Sequence, residues 1–192
     1  RSSVPPAHRH CEPSRPVEGA ASSLHAMSSS SARLVMVGGG NMGAALLGGM
    51  IAAGWAAPSD LAVVEVLDAR REVLAAQFPG VHVLDVVPSA DGAVIAVKPN
   101  DVPAAVTSAV AAGARRVLSI AAGVTIARLE AAAAAATDEA VAVVRAMPNT
   151  PSLVGQGAAA IAGGDGAGED DLVWAEGILG AVGSVVRVPE YQ

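Results

Sequence analysis

The chain has 192 residues, of which 52% are hydrophobic and 2% aromatic, and it carries a formal charge of −6. That is the length of one domain, enough to bury roughly 70% of the surface of the unfolded chain, around a core of Ala, Val and Leu rather than rings. The negative balance gives no reason to expect nucleic acid or anionic lipid, no apolar run reaches the ~18 residues of a membrane span, and the single cysteine, Cys11, excludes an internal disulfide or a multi-cysteine metal site. These numbers fit a soluble, cytoplasmic protein with no nucleic-acid or membrane partner.

Residues 1–31 are rich in Pro, Ser, Arg and His and show no apolar periodicity, so a disordered extension is expected there. The stretch lacks the apolar segment of a secretion signal, and Glu12 and Glu18 argue against a transit peptide. The chain opens on Arg1 while Met27 stands just ahead of SSSSARLVMVG, which suggests Met27 as the natural start. His8, His10 and Cys11 read as incidental composition rather than a metal site.

From Ala32 to Gln192 the pattern alternates between strand and helix, as in a single dinucleotide-binding domain. The organising stretch is RLVMVGGGNMGAALLGGM, residues 33–50: an apolar strand, a glycine turn, then an Ala/Leu helix. Gly38, Gly40 and Gly43 fall on the G-x-G-x-x-G spacing, which supplies a tight turn, room for a pyrophosphate and close helix–strand packing. The helix opening near Met42 would offer unpaired N–H groups and a partial positive charge to that anion. Glycine turns also join strands to helices for purely structural reasons, so the spacing alone is a weak signal.

Further strands are predicted at 61–65, 81–84, 93–97, 116–120 and 141–146, and helices at 42–53, 68–77, 101–112 and 125–136. Pro58-Ser59-Asp60 makes a turn and Phe78-Pro79-Gly80 ends a helix. The run AVIAV at 93–97 is apolar throughout, as a parallel strand covered on both faces requires. After Pro151 come a small-residue strand at 158–162, a helix at 169–181 and a strand at 184–188. The expected fold is therefore α/β: a Rossmann-type, doubly wound, mostly parallel sheet with helices on both faces, and two extra carboxyl-terminal strands and a helix.

Ligands of such sheets bind beyond the carboxyl ends of the strands. Asn41, Asn100 and Asn149, all the asparagines of the chain, stand just past predicted strands, and so does Lys98, its one lysine. Turn preference explains Asn at such places too. Glu65 ends the second strand about 20 residues after the glycines, where a carboxylate accepts from the ribose hydroxyls of NAD. Arg70 and Arg71 follow and could instead pair a 2′-phosphate, so NAD versus NADP stays open. Small residues at Ser119–Gly123 would let a flat ring approach. The segment from Arg145 to Pro151 reads as a loop made rigid by two prolines, presenting Asn149 and Thr150. The acidic group Asp165, Glu169, Asp170 and Asp171 reads as helix-start complementation rather than a cation site. His82 reads as a packed strand residue, and no acid, base or nucleophile stands out as catalytic.

The segments VMVGGGNMGAALLGGM, AVIAVKPNDV, VLSIAAGVTIARLE and VVRAMPNTPSLVGQGAAAI, in that order, closely resemble the amino-terminal domain of pyrroline-5-carboxylate reductase. The resemblance runs from about Ala32 to Pro189. It implies NADPH- or NADH-dependent reduction of the cyclic imine pyrroline-5-carboxylate to L-proline. It further implies that Gly38, Gly40, Asn41 and Met42 hold the pyrophosphate, that Val97, Lys98 and Pro99 line the nicotinamide ribose, and that Ala121, Ala122, Met147, Pro148 and Asn149 surround the ring. Members of the family are homo-oligomers that continue into a helical domain supplying the dimer contact and part of the substrate site. That domain is missing from these 192 residues, so weak turnover by this chain is expected. The competing readings are another NAD(P)-dependent oxidoreductase, of the 3-hydroxyacid dehydrogenase or F420-dependent NADP reductase type, and a non-catalytic nucleotide-binding module.

Overall fold

A computed structural model describes residues 31–190. The readings made for residues 1–30, including Met27, His8, His10 and Cys11, lie outside the described residues, as do Tyr191 and Gln192.

The elements alternate as β1 (Ala32–Val37), α1 (Asn41–Ala52), β2 (Leu61–Val64), α2 (Asp68–Gln77), β3 (His82–Leu84), β4 (Ala90–Ile95), α3 (Val102–Ala111), β5 (Arg116–Ser119), α4 (Ile126–Ala134), β6 (Ala142–Pro148), β7 (Gly157–Gly163), α5 (Glu169–Gly180) and β8 (Gly183–Arg187). They build one eight-stranded sheet in the order β3-β2-β1-β4-β5-β6-β7-β8. Strands β1 to β6 are parallel wherever they pair. β7 then runs antiparallel to β6, and β8 parallel to β7. This is the Rossmann-type doubly wound sheet expected, and strand order reverses direction between β1 and β4.

The two faces carry separate cores because side chains alternate along each strand. Leu34, Met36, Leu61, Val63, Val94 and Leu118 pack beneath α1, α2 and α5. Val35, Val37, Val64, Ile95, Val117 and Val143 pack beneath α3 and α4. Strand stretches covered on both faces are apolar at consecutive positions, as in Leu34–Val37, Leu61–Val64 and Ala93–Ile95, while Arg33 and Asp91 near the starts of β1 and β4 are exposed.

Several boundaries differ from the sequence reading, each for a pairing reason. β4 spans Ala90–Ile95 rather than 93–97, since Ala90 and Gly92 already pair with Ala32 and Leu34. The helix expected at 101–112 begins at Val102 after a 3-10 turn, Pro99–Asp101, and the one expected at 125–136 stops at Ala134. The rigid loop expected at 145–151 is displaced. β6 continues through Pro148, because Met147 and Pro148 pair with Ala160 and Ala159 of the antiparallel β7. Pairing with β5 ends at Arg145, so the missing N–H of Pro148 interrupts no ladder on that side. The bend itself is Asn149 followed by a 3-10 turn, Thr150–Val154, closed by Gly155 in the left-handed conformation (φ 72°).

Candidate dinucleotide site

With β1, β4, β5 and β6 parallel, the loops that follow them emerge at one edge of the sheet, and the glycine turn lies where the strand order reverses. This brings together the turn at 38–40, the segment 96–101, the loop 120–125 and the bend at 149–155. The geometry of the turn follows from its glycines. Gly38 has φ +108°, and a β-carbon on it would lie 2.6 Å from the Ala96 carbonyl oxygen, so only glycine passes between β1 and β4 here. A β-carbon on Gly43 would collide with the Gly38 carbonyl, closer than the 3.0 Å that real contacts respect. Gly40 is different: a β-carbon there would meet nothing within 4 Å. Its bareness serves no packing purpose in the protein and leaves open the approach to the helix end.

Gly40 is the N-cap of α1, and neither a side-chain cap nor an acidic residue satisfies the first turn. The first intrahelical bond runs from the Ala44 N–H to the Gly40 carbonyl. The N–H groups of Asn41, Met42 and Gly43 therefore face outward with the positive end of the helix dipole, an arrangement suited to a phosphate. Open space at Gly40, unpaired amides and a left-handed Gly38 together fit a pyrophosphate cradle.

The turn is braced from β2 and α2. Glu65, half-buried at the end of β2, accepts from the Gly39 N–H (3.2 Å) through Oε2 and from the Leu67 N–H (3.0 Å) through Oε1. Arg70 donates from Nε to the Gly39 carbonyl at 2.7 Å. Arg71 donates to the Glu65 carbonyl at 2.8 Å and pairs with Asp68. Gly39, which the spacing argument passes over, is thus the residue on which the acid and the base converge. The backbone atoms it offers carry no signature in sequence.

Val97 is half-buried and its side chain lies 3.1 Å from the β-carbon position of Gly38. Lys98 and Pro99 are exposed beside it. Ser119 is fully buried at the end of β5, where its hydroxyl accepts from the Ala121 N–H at 3.4 Å and shapes the small-residue loop. Ala121 is buried and Ala122 exposed. Met147 is exposed. Asn149 is exposed and clasps the start of β7: its Oδ1 accepts from the Ala158 N–H at 2.9 Å while its backbone N–H donates to the Ala158 carbonyl at 3.1 Å. Its side chain holds the bend to β7, a role that strand-end placement does not reveal.

Beside the bend, a cavity is lined by Arg145, Met147, Ala160, Ala162, Val188 and Glu190. Glu190 was not singled out from sequence. Its carboxylate accepts from the Ile126 N–H at the start of α4 (2.5 Å) and from Arg145 (3.1 Å). Other residues weighed earlier have structural partners. The His82 ring lies 3.1 Å from the Ser59 carbonyl. Asp171 caps the Gly168 N–H at 2.9 Å and pairs with Arg116 at 2.7 Å, and Glu169 pairs with Arg187 at 2.7 Å.

Fold and turn together define a Rossmann-type domain of the dinucleotide-binding class. Comparison with known proteins narrows this. Residues 33–123 match the family model described as NADP oxidoreductase, coenzyme F420-dependent. The pyrroline-5-carboxylate reductase of Mycobacterium leprae is 39% identical over 178 residues, covering 86% of this chain and 58% of that protein. The Synechocystis enzyme of the same name is 38% identical, covering 83% and 60%. Among solved structures, a pyrroline-5-carboxylate reductase from Coxiella burnetii superposes with a TM-score of 0.73 at 30% identity, covering 83% of this chain and 59% of its own. The Plasmodium falciparum pyrroline carboxylate reductase, solved with NADP bound, shares the fold at a TM-score of 0.68 and 23% identity. The chain is thus similar to pyrroline-5-carboxylate reductases over most of its own length, and it spans somewhat under two thirds of the length of these relatives.

Proposed function

We propose that residues 32–192 are the cofactor domain of a pyrroline-5-carboxylate reductase. In this reading Gly38, Gly40, Asn41, Met42 and Gly43 hold the pyrophosphate of NADPH or NADH. Glu65 and Arg70 frame the adenosine ribose, Val97, Lys98 and Pro99 the nicotinamide ribose. Ala121, Ala122, Met147, Pro148 and Asn149 surround the ring. The single observation carrying the reading is the bare Gly40 at the uncapped start of α1, on a chain 39% identical to a reductase of this name.

The bound nicotinamide supplies a hydride, which the imine carbon of a small cyclic substrate accepts. What the chain contributes is position and exclusion of water. The helix-end amides fix the anionic middle of the cofactor, and the Asn149–Ala158 clasp fixes the bend that bounds its far end. Small residues at 121–122 leave space for a flat ring. No acid or base of this domain is required to move a proton, since an imine nitrogen can arrive protonated. The substrate is a small molecule, and a cytoplasmic setting suits a reductase of this kind. The F420-dependent reading draws on a match that stops at residue 123, whereas the reductase relatives match over most of the chain.

Calorimetric titration of the folded chain with NADPH and with NADH tests the proposal. Saturable one-to-one uptake of at least one of them is expected. Absence of uptake of both contradicts it.

A further inference from the structure

Four methionines fall among the described residues, in different surroundings. Met36 and Met50 are sealed in the core at 0% exposure, Met42 is half-buried in the first turn of α1, and Met147 is 48% exposed. Met147 stands two positions after Arg145 on β6, so both side chains leave the sheet on one face. That is the face α5 does not cover: the intervening Ala146 and its strand partner Ile161 pack in the same core as Ala175 and Ile178 of that helix. On the open face the strand partners of Arg145 and Met147 are Ala162 and Ala160, too short to shield a neighbouring thioether. These four residues line one cavity with Val188 and Glu190.

A second feature of this cavity gives the exposed sulfur a consequence. Arg145 donates to Oε1 of Glu190 at 3.1 Å, and the same oxygen accepts from the Ile126 N–H at 2.5 Å. Ile126 opens α4, so its N–H has no partner within the helix and depends on this carboxylate. The loop that leads into it carries Ala121 and Ala122. When hydrogen peroxide meets the thioether, one oxygen atom passes to the sulfur: the O–O bond breaks, an S–O bond forms, the sulfur gives up two electrons and water leaves. The apolar group becomes a polar sulfoxide, one strand repeat (about 7 Å) from Arg145 and within reach of its long side chain. We infer that Met147 is a peroxide-sensitive site, at which oxidation draws Arg145 away from Glu190 and frees the start of α4 with the loop before it. The loosening of α4 needs no ligand; weaker binding of a reduced nicotinamide dinucleotide follows from it on the dinucleotide reading above.

The test exposes the folded chain and its Met147→Leu variant to a small excess of hydrogen peroxide. Peptide mass spectrometry, amide exchange at Ile126 and titration with NADH and NADPH are the readouts. Met147 in the parent is expected to gain one oxygen at least about tenfold faster than Met36 and Met50. Exchange at the Ile126 amide should then quicken and nucleotide affinity fall several-fold, both recovering on treatment with methionine sulfoxide reductases. Met147→Leu keeps a similar volume without the sulfur and shares every other methionine with the parent. Its exchange and affinity are expected to be the same before and after treatment. Met147→Gln, which places an amide oxygen on this face permanently, is expected to show the quickened Ile126 exchange with no peroxide added. Four results overturn the inference: oxidation of Met36 or Met50 as fast as Met147, unchanged Ile126 exchange in the oxidised parent, equal peroxide sensitivity of parent and Met147→Leu, or parent-like exchange in Met147→Gln. Unaltered affinity in a parent whose Ile126 exchange has quickened overturns the link to the cofactor. Uptake of neither nucleotide before oxidation overturns the dinucleotide reading alone, and the Ile126 exchange still decides whether Met147 acts as described.

Discussion

The carbonyl of Gly38 occupies the space that a side chain on Gly43 would need, so the end of β1 and the first turn of α1 touch backbone to backbone. Three residues earlier, Gly40 has open space where its side chain would be. Two glycines of one motif are therefore kept bare for different reasons, and substitution separates them. Gly43→Ala forces helix and strand apart and is expected to destabilise the fold by about 1–3 kcal/mol. Gly40 has ordinary extended backbone (φ −65°), so Gly40→Ala is expected to change stability by less than about 1 kcal/mol while sharply weakening dinucleotide binding. Urea unfolding and calorimetric titration of both variants read the two effects apart.

Asn149 and Ala158 exchange two hydrogen bonds, one of them through the Asn149 side chain. Asn149→Ala removes that acceptor from an exposed turn, where water partly replaces it. The expected loss is about 0.5–1 kcal/mol of stability, accompanied by weaker cofactor binding as the bend loosens. Asn149→Asp keeps an acceptor oxygen and is expected to restore both. Denaturant midpoints and affinities for the two variants check this.

Ser119 ends β5 fully buried, its hydroxyl turned to the Ala121 N–H. Ser119→Ala leaves the loop that begins the small-residue platform without this contact. A cost of about 1 kcal/mol is expected, together with faster amide hydrogen exchange at Ala121 than in the parent protein.

At the end of β8, Arg187 bridges Glu169 and Glu176 of α5, at 2.7 Å and 2.6 Å. The hydrogen bond from Arg187 holds the Glu176 carboxyl below its ordinary value of 4.5, against a smaller opposing effect of burial. A depressed carboxyl value means the stabilising contribution is present above 4.5 and disappears as pH falls through the folded-state value. Arg187→Met is therefore expected to lower stability slightly at neutral pH and not at all in strong acid, and the neutral-pH difference should shrink in high salt. Thermal unfolding across pH and salt measures it.

Much of the architecture is legible in the chain because the doubly covered stretches of its strands are apolar at consecutive positions and are set off by glycine and proline turns. β1, β2 and β4 show this, and the glycine turn marks where the first of them gives way to a helix. The bend after β6 is less legible. Pro148 reads as part of a rigid loop in isolation, yet it is held within a strand by β7, a partner whose direction nothing local specifies. Asn149 was legible as a residue at the right edge of the sheet, but its side chain is given to Ala158, nine positions on. Gly39 and Glu190 were missed for the same reason: what matters about them is a backbone amide or helix end supplied by a distant segment. Sequence shows which residue types are present, whereas the partner of a backbone N–H emerges only when the chain is folded.

The claim that one ligand lies across both the glycine turn and the bend is tested most directly by amide resonances of the folded chain on addition of reduced nicotinamide dinucleotide. The account predicts saturable shifts at Gly38 to Gly43 and at Met147 and Asn149, with α5 and β8 unmoved. Shifts absent from the glycine turn, or confined to the β8 edge of the sheet, would contradict it.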